Sequence, residues 1–229
     1  MPGLFVTAIG TDVGKTYVAC ALVAAARRRA LAVRAYKPVV TGLDLADAAA
    51  CAASDPGRLL AALGEPCDAP HIAAIVPWIF RDPISPDIAA AREGRTIDVD
   101  GVIAFVRHAV ASAPEAVVIV EGIGGVLVPL HGTDTVGDVI EAANMPAVLV
   151  AATYLGSLSH TFTACESLAA RDIDVRAIAV SESPDAPVSL AEACGVIERY
   201  VRVPVVPFAR DGAAANDRAA DELLQYFLE

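Results

Sequence analysis

The sequence predicts an α/β protein with a three-layer fold, in which helices cover both faces of a mainly parallel central sheet. Short apolar runs rich in valine and isoleucine alternate with longer alanine-rich stretches, and these are the patterns of buried strands and of helices. The first run, residues 4–9, is followed by a helical stretch over residues 17–29 and a second run over residues 31–40. Such a strand–helix–strand unit places its two strands parallel in one sheet.

The later elements continue the alternation, with glycine and proline marking the breaks. Within residues 43–63 we expect one or two helices, with Asp55 as an N-cap and Pro56 as the first helical residue. Further strands or extended segments are predicted over residues 72–80, 116–120, 126–130, 146–152, 174–180 and, at a sheet edge because of its prolines, 203–208. Further helices are predicted over residues 88–93, from 99 or 100 to 112, 136–143, from a 154–161 loop to 171, 190–200 and 214–228.

Properties of the whole chain limit the possible functions. A length of 229 residues predicts a single domain over residues 1–229. No uninterrupted apolar run reaches the about 20 residues of a membrane helix, and no signal peptide is visible, so we expect a cytoplasmic protein with no membrane partner. The formal net charge of -11 argues against a nucleic-acid partner. The five cysteines include no CxxC pair and predict buried thiols.

The loop between the first strand and the first helix is the strongest functional motif. Residues 10–16 read GTDVGKT, and a glycine-bounded loop at a helix N-terminus attracts phosphate through its backbone N–H groups. Lys15 would add charge for the β- and γ-phosphates, and the Thr16 hydroxyl a ligand for Mg²⁺. The usual spacing requires a glycine where this chain has Ile9. A turn merely shaped by glycines is the alternative, but Gly-Lys-Thr at this junction favours a nucleoside triphosphate site.

Polar residues also follow two other predicted strands. Lys37 and Thr41 lie at the end of the second strand, and Glu121 comes directly after the apolar run 116–120. Because the carboxyl ends of parallel strands meet at the ligand-binding edge of a sheet, we expect all three beside the phosphate loop. A solvated strand end and a glycine-rich turn are the alternatives. A carboxylate after five apolar residues favours a Mg²⁺-side acid.

Four motifs together resemble the dethiobiotin synthetase family of P-loop NTPase-like enzymes. They are residues 10–16 (GTDVGKT), 36–42 (YKPVVTG), 120–125 (VEGIGG) and 156–161 (GSLSHT). The similarity extends over almost the whole chain and weakens at residues 43–74 and after 181. This family closes a ureido ring on 7,8-diaminopelargonate with CO₂, ATP and Mg²⁺. The resemblance implies the same reaction here, through a carbamate and a carbamic-phosphoric anhydride, in a homodimer.

The resemblance also implies roles for individual residues. Catalysis would involve Lys37, Lys15 and Thr11. Mg²⁺ would be held by Thr16, Glu121 and Asp55, with Asp47 the less favoured alternative to Asp55. The substrate would contact Thr41 and, from the neighbouring subunit, Ser157, Leu158 and Ser159. The nucleotide would contact Asp12, Val13, Gly14, Lys15, Thr16, Tyr17, Asp55, Glu121, Gly122, Ile123, Gly124, Ser181, Val206, Pro207 and Phe208.

The chain departs from the family pattern at several positions. Ser181 stands where the family often has an asparagine that reads adenine, so the choice of base is open. Ser159 replaces a frequent asparagine in the substrate loop. Two other functions remain alternatives: a cobyrinate-type amide synthetase domain, and a partitioning-type ATPase switch. The second usually has a signature lysine early in the loop, where this chain has Gly10.

Overall fold

The computed structural model describes residues 3–228 and builds them around a six-stranded parallel sheet. The strands in chain order are β1 (Gly3–Ala8), β2 (Val33–Tyr36), β3 (Val39–Val40), β4 (Trp78–Ile79), β5 (Val117–Glu121), β6 (Pro129–His131), β7 (Asp134–Thr135), β8 (Ala147–Ala152), β9 (Val175–Ser181) and β10 (Val205–Phe208). The helices are α1 (Lys15–Arg28), α2 (Ala48–Ala53), α3 (Asp55–Leu63), α4 (Ala69–Ile75), α5 (Pro86–Arg92), α6 (Val99–Ala111), α7 (Val136–Ala143), α8 (Ser157–Ala169), α9 (Leu190–Tyr200) and α10 (Ala213–Leu228).

The central sheet has the order β10-β9-β8-β1-β5-β2, and the pairs along it are parallel. Buried residues of one strand point alternately to the two faces, as the two-residue period of a strand requires. In β5, Val117 and Ile119 pack in the layer that contains α1, α3, α4 and α10, whereas Val118 and Val120 pack in the layer of α5 to α9. The predicted three-layer α/β fold is confirmed, and β10 lies at the predicted edge.

Residues 72–80 were expected to be extended, and this prediction is wrong for their first half. Asp68 caps α4 by accepting a hydrogen bond from the N–H of His71, and Ile72 and Ile75 lie on one buried face of the helix. A spacing of three residues between apolar side chains is typical of a helix. The segment is short and contains alanines, so this spacing was not evident from the sequence. Only Trp78 and Ile79 form a strand, which pairs with β3 outside the central sheet.

The predicted second strand is interrupted at Lys37 and Pro38. Residues before the break form β2 in the central sheet, and residues after it form β3. The N–H of Lys37 is bonded to the carbonyl of Ile75 rather than to a sheet neighbour, and Pro38 has no N–H to offer. The chain therefore leaves the central sheet at Lys37, whose side chain is buried.

Two predicted helix caps are each displaced by one or two residues. Ser54, not Asp55, caps α3 by accepting from the N–H of Gly57, so Asp55 is the first helical residue and its carboxylate is free for other contacts. Asp98 caps α6, where Val99 or Asp100 was expected.

All five cysteines are free, but only Cys51 and Cys194 are buried, and the prediction of buried thiols is wrong for Cys67, which is exposed. Among residues 3–228, none of the helices combines the length and apolar character required to cross a membrane. That residues 1–229 form a single domain, and that the protein is cytoplasmic, stay predictions.

We predict that Ile119→Ala lowers the free energy of unfolding by about 2–5 kcal/mol, because the residue is fully buried in a central strand and the truncation leaves a cavity. Chemical denaturation measures this cost. The control is Ile88→Ala on α5, a residue 49% exposed, which we expect to change stability by less than about 0.5 kcal/mol. Equal losses in the two variants would contradict the assignment of the core.

Candidate active site

The loop between β1 and α1 has a backbone conformation suited to binding an anion. Asp12 and Gly14 both have left-handed backbone conformations, with φ of 57° and 91°. Gly14 is the N-cap of α1, and no side chain caps this helix start. Uncapped N–H groups and the positive end of the helix dipole together form an anion-binding concavity.

Lys15 lies over this loop, with its Nζ 3.4 Å from the carbonyl oxygen of Gly10. The side chain is largely buried. Burial, followed by the nearby charge of Lys37, lowers the pKa of Lys15 to about 8, against the opposing charges of Glu121 and Asp55. A lysine so placed lacks a firm protein partner and is available to an anionic ligand.

Glu121 is the centre of a buried polar cluster at the end of β5. Its Oε1 accepts hydrogen bonds from the Thr16 hydroxyl at 2.7 Å and from the Lys37 Nζ at 2.8 Å. Lys37 also forms an ion pair with Asp55 at 3.0 Å and donates to the carbonyl of Gly122 at 3.1 Å. These residues come from α1, α3 and the ends of β2 and β5, and the sheet brings them together.

The charges of this cluster are strongly coupled. Burial acts to lower the pKa of Lys37, but the charges of Glu121 and Asp55 and their hydrogen bonds outweigh it, so the pKa lies above its usual value. Burial acts to raise the pKa of Asp55, but the charge of Lys37 and hydrogen bonds from Thr16 and Lys37 hold it below its usual value. Lys37 and Asp55 are therefore both charged at neutral pH.

Thr16, Lys37 and Asp55 of this cluster line a cleft of about 680 Å³, which we call the central cleft, whereas Glu121 does not line it. Thr41 lines it together with Ile84 and Ser85, which lie between β4 and α5. Of the residues predicted for the site, the central cleft contains Thr11, Asp12, Gly14, Lys15, Thr16, Tyr17, Lys37, Thr41, Asp55, Ile123 and Gly124.

A second cleft of about 450 Å³, the side cleft, shares part of the phosphate loop and extends toward β9 and β10. Ser181 and Phe208 line it, as does Val13. The predicted neighbours Val206 and Pro207 do not line it: Val206 is buried in the core, and Pro207 faces outward. Of the three predicted nucleotide contacts at residues 206–208, only Phe208 lines the side cleft, together with the residues that follow it.

Asn216 of α10 holds one wall of the side cleft and was not identified from the sequence. It is 3% exposed, and its amide donates to the Tyr17 hydroxyl and the Ala209 carbonyl while accepting from the Ala209 N–H. The Tyr17 ring packs edge-on against Phe208 at 6.2 Å. The link between Asn216 and Tyr17 spans 199 positions, and no sequence pattern indicates it.

The predicted substrate loop lies apart from both clefts. Gly156 caps α8 with φ of 98° and no side-chain cap, as at the phosphate loop. Ser157 is buried, Leu158 packs on the core, and Ser159 is exposed. None of the three lines the central or the side cleft.

Asp47 and Asp55 were alternatives for the Mg²⁺-side acid, and their surroundings differ. Asp47 is the exposed N-cap of α2, with its Oδ1 bonded to the N–H groups of Ala49 and Ala50. Asp55 instead lines the central cleft beside Lys37. The structure therefore brings Asp55, not Asp47, to the cluster.

Solved structures with similar folds show the class of fold. The signal recognition particle receptor FtsY of Elizabethkingia anophelis superposes with a TM-score of 0.56 at 16% identity, over 100% of this chain and 65% of that one. MinD of Aquifex aeolicus superposes with a TM-score of 0.55 at 11% identity, over 99% and 94%. Such identities show the fold alone. Fold and phosphate loop together define a P-loop NTPase-type protein.

Sequence relatives identify the family. A family model described as an AAA domain matches residues 2–208. The ATP-dependent dethiobiotin synthetase of Methylobacterium nodulans is 42% identical over 214 residues, which are 93% of this chain and 95% of that protein. That of Caulobacter sp. strain K31 is 46% identical over 187 residues, 82% and 79% of the two chains. The chain belongs to the dethiobiotin synthetase family, as its four motifs predict.

We predict that Gly14→Ala destabilises the protein and weakens nucleotide binding. An added Cβ would lie 2.3 Å from the Ser181 Oγ and 2.9 Å from its Cβ, so rotating the serine does not relieve the clash. The positive φ alone costs roughly 1–2 kcal/mol. Denaturation and titration with a fluorescent nucleotide measure both effects.

The matched control is Gly94→Ala, which has φ of 66° but no atom within 4 Å of the added Cβ. It carries the backbone cost without the clash. Adding Ser181→Gly to Gly14→Ala should recover part of the lost stability. Equal costs at the two glycines, or no recovery in the double variant, would contradict the close packing of the phosphate loop on Ser181.

Proposed function

We propose that this protein closes the ureido ring of dethiobiotin, using 7,8-diaminopelargonate, CO₂ and ATP. One substrate amine reacts with CO₂ to give a carbamate and a proton. A carbamate oxygen attacks the γ-phosphorus and ADP leaves. The second amine then attacks the carbon of the mixed anhydride, loses its proton and expels phosphate. The observation that carries the proposal is the near full-length similarity to dethiobiotin synthetases, at 42% identity over 93% of the chain.

The cluster around Glu121 suits Mg²⁺ as the partner of ATP. The Glu121 Oε2 is fully buried and has no hydrogen-bond partner among the described residues, and this oxygen, the Asp55 carboxylate and the Thr16 hydroxyl are close together. Mg²⁺ prefers oxygen ligands and is usually held by one or two carboxylates together with phosphate and water. Thr16, Asp55 and Glu121 would hold it, and the ion would neutralise phosphate charge.

Lys15 and Lys37 would stabilise the transferring phosphoryl group from two sides of the central cleft. Lys15 lies over the loop at the start of α1, and Lys37 reaches in from the end of β2. Both are largely buried, so their charges act in a low dielectric where they are worth more than in water. The carbamate is already an anion, so phosphorylation requires no general base. Thr11 lines the same cleft and would contact the same phosphate.

We further propose that the protein acts as a homodimer. Thr41 lines the central cleft and would contact the diamine or its carbamate. Ser157, Leu158 and Ser159, expected to bind the substrate carboxylate, lie outside the cleft of their own chain. A second subunit would supply them through the uncapped N–H groups at the start of α8.

We predict that the purified protein forms dethiobiotin and diamine-dependent ADP from 7,8-diaminopelargonate, bicarbonate and ATP. Lys37→Gln should lower product formation by about 10²–10³-fold, because one charge is removed from the phosphoryl-transfer site. Product is measured by mass spectrometry. Parallel reactions with CTP and GTP measure the choice of base, which Ser181 leaves open.

The control for Lys37→Gln is Arg34→Gln, an exposed cation on β2 that should keep full activity. Lys37 is the charge partner of buried Glu121, and its replacement can unfold the protein. A thermal denaturation curve must therefore first show that the variant is folded at the assay temperature. A folded wild-type protein that forms neither dethiobiotin nor diamine-dependent ADP would overturn the proposed function.

Asp55→Asn and Asp47→Asn form a matched pair for the Mg²⁺ proposal. We predict that Asp55→Asn raises the Mg²⁺ concentration for half-maximal activity about tenfold, since one carboxylate ligand is lost. Asp47→Asn should leave it unchanged, because asparagine is as good an N-cap as aspartate. Mg²⁺-dependent thermal stabilisation with ADP gives a second readout. The reverse order of the two variants would contradict the assignment.

A further inference from the structure

Arg58 lies where the central and side clefts meet. It is an exposed residue of α3, three positions after Asp55, and lines both clefts. Only three other residues line both, and they belong to the phosphate loop and the start of α1: Asp12, Gly14 and Tyr17. Arg58 therefore faces the phosphate loop across the passage from one cleft to the other.

The guanidinium of Arg58 has no ion pair or side-chain hydrogen bond within residues 3–228. Other arginines of the same layer are paired: Arg28 with Asp217 at 2.8 Å, and Arg27 with the carbonyl of Ala62. The charge of Arg58 nevertheless affects Cys20 on α1. The pKa of this thiol is raised to about 12, mainly by burial, and Arg58 opposes the rise. An unpaired arginine beside a phosphate-binding loop is available to an anion.

The two clefts differ in what they can bind. The central cleft contains Lys15, Lys37 and the Asp55 carboxylate, which suit the terminal phosphates with a cation. The side cleft contains Ser181 and Phe208, which suit the base. If one nucleotide occupies both clefts, its ribose and its α-phosphate lie in the passage between them. Of these two groups, the phosphate is the one that matches a guanidinium.

We propose that Arg58 binds the α-phosphate of the nucleotide and so contributes to affinity regardless of the base. This inference rests on the proposed use of ATP. It identifies a contact that the sequence motifs did not indicate. Such a contact is well suited to a site where Ser181 offers only a hydroxyl near the base, because phosphate recognition carries no information about base identity.

The test measures nucleotide binding to Arg58→Gln by calorimetry, without diamine, using ATP, ADP and CTP, and AMP by displacement of ADP. Each is expected to bind about tenfold more weakly than to the wild type, by the same factor, because all share the α-phosphate. Arg58→Lys should recover part of the loss, since it restores the charge but not the planar fork. The KM for the diamine should stay unchanged.

The matched control is Arg199→Gln, an exposed arginine of α9 in the opposite helical layer, and it should bind all four nucleotides normally. A loss confined to ATP would place Arg58 at the γ-phosphate, a loss that differs between ATP and CTP would place it at the base, and an altered KM for the diamine would place it at the substrate. Each of these results, or unchanged binding, overturns the inference. Because binding is measured without catalysis, absence of dethiobiotin formation would count against the proposed function only.

Discussion

The arrangement of the site depends on one buried carboxylate. Glu121 is fully buried at the end of a central strand, and an isolated charge there would be very unfavourable. Lys37 and Thr16 bond its Oε1, and Lys37 is bonded in turn to Asp55. The break of the second strand at Lys37 and the capping of α3 by Ser54 leave two charged side chains available to this cluster: Lys37 bonds Glu121, and Asp55 bonds Lys37. The cluster holds four chain segments in fixed relation.

The sequence predicted this cluster because the rule for parallel sheets is independent of sequence separation. Lys37 and Glu121 are 84 residues apart, yet each follows an apolar run, and strands in one parallel sheet end at one edge. The choice of Asp55 over Asp47 came from the family resemblance, and the capping of α2 by Asp47 gives it a physical reason. The sequence therefore predicted correctly the site residues that lie at the end of a strand or at the start of a helix.

Predictions failed where a tertiary contact, rather than a local pattern, decides the outcome. Residues 72–80 have no clear period, and burial of Ile72 and Ile75 against the α1 layer selects a helix for the first part. Asn216 gives no signal because its partner Tyr17 is brought near only by the packing of α10 on α1. The predicted substrate loop is a similar case: its helix start was recognised from the sequence, but no local pattern indicated that it lies outside both clefts.

The two ends of the proposed nucleotide site are built differently, and this difference has a functional consequence. At the phosphate end, buried Lys37 and Glu121 pair with each other, so removing either charge leaves the other buried and uncompensated. At the base end, Ser181, Phe208 and the loop held by Asn216 line the cleft, and the charged residues that also line it, such as Glu182 and Arg210, are not buried. Changes at the base end are therefore tolerated more readily than changes at the phosphate end. A phosphate contact outside the buried cluster can then add affinity without disturbing the chemistry, since it neither pairs with Glu121 nor depends on which base is bound.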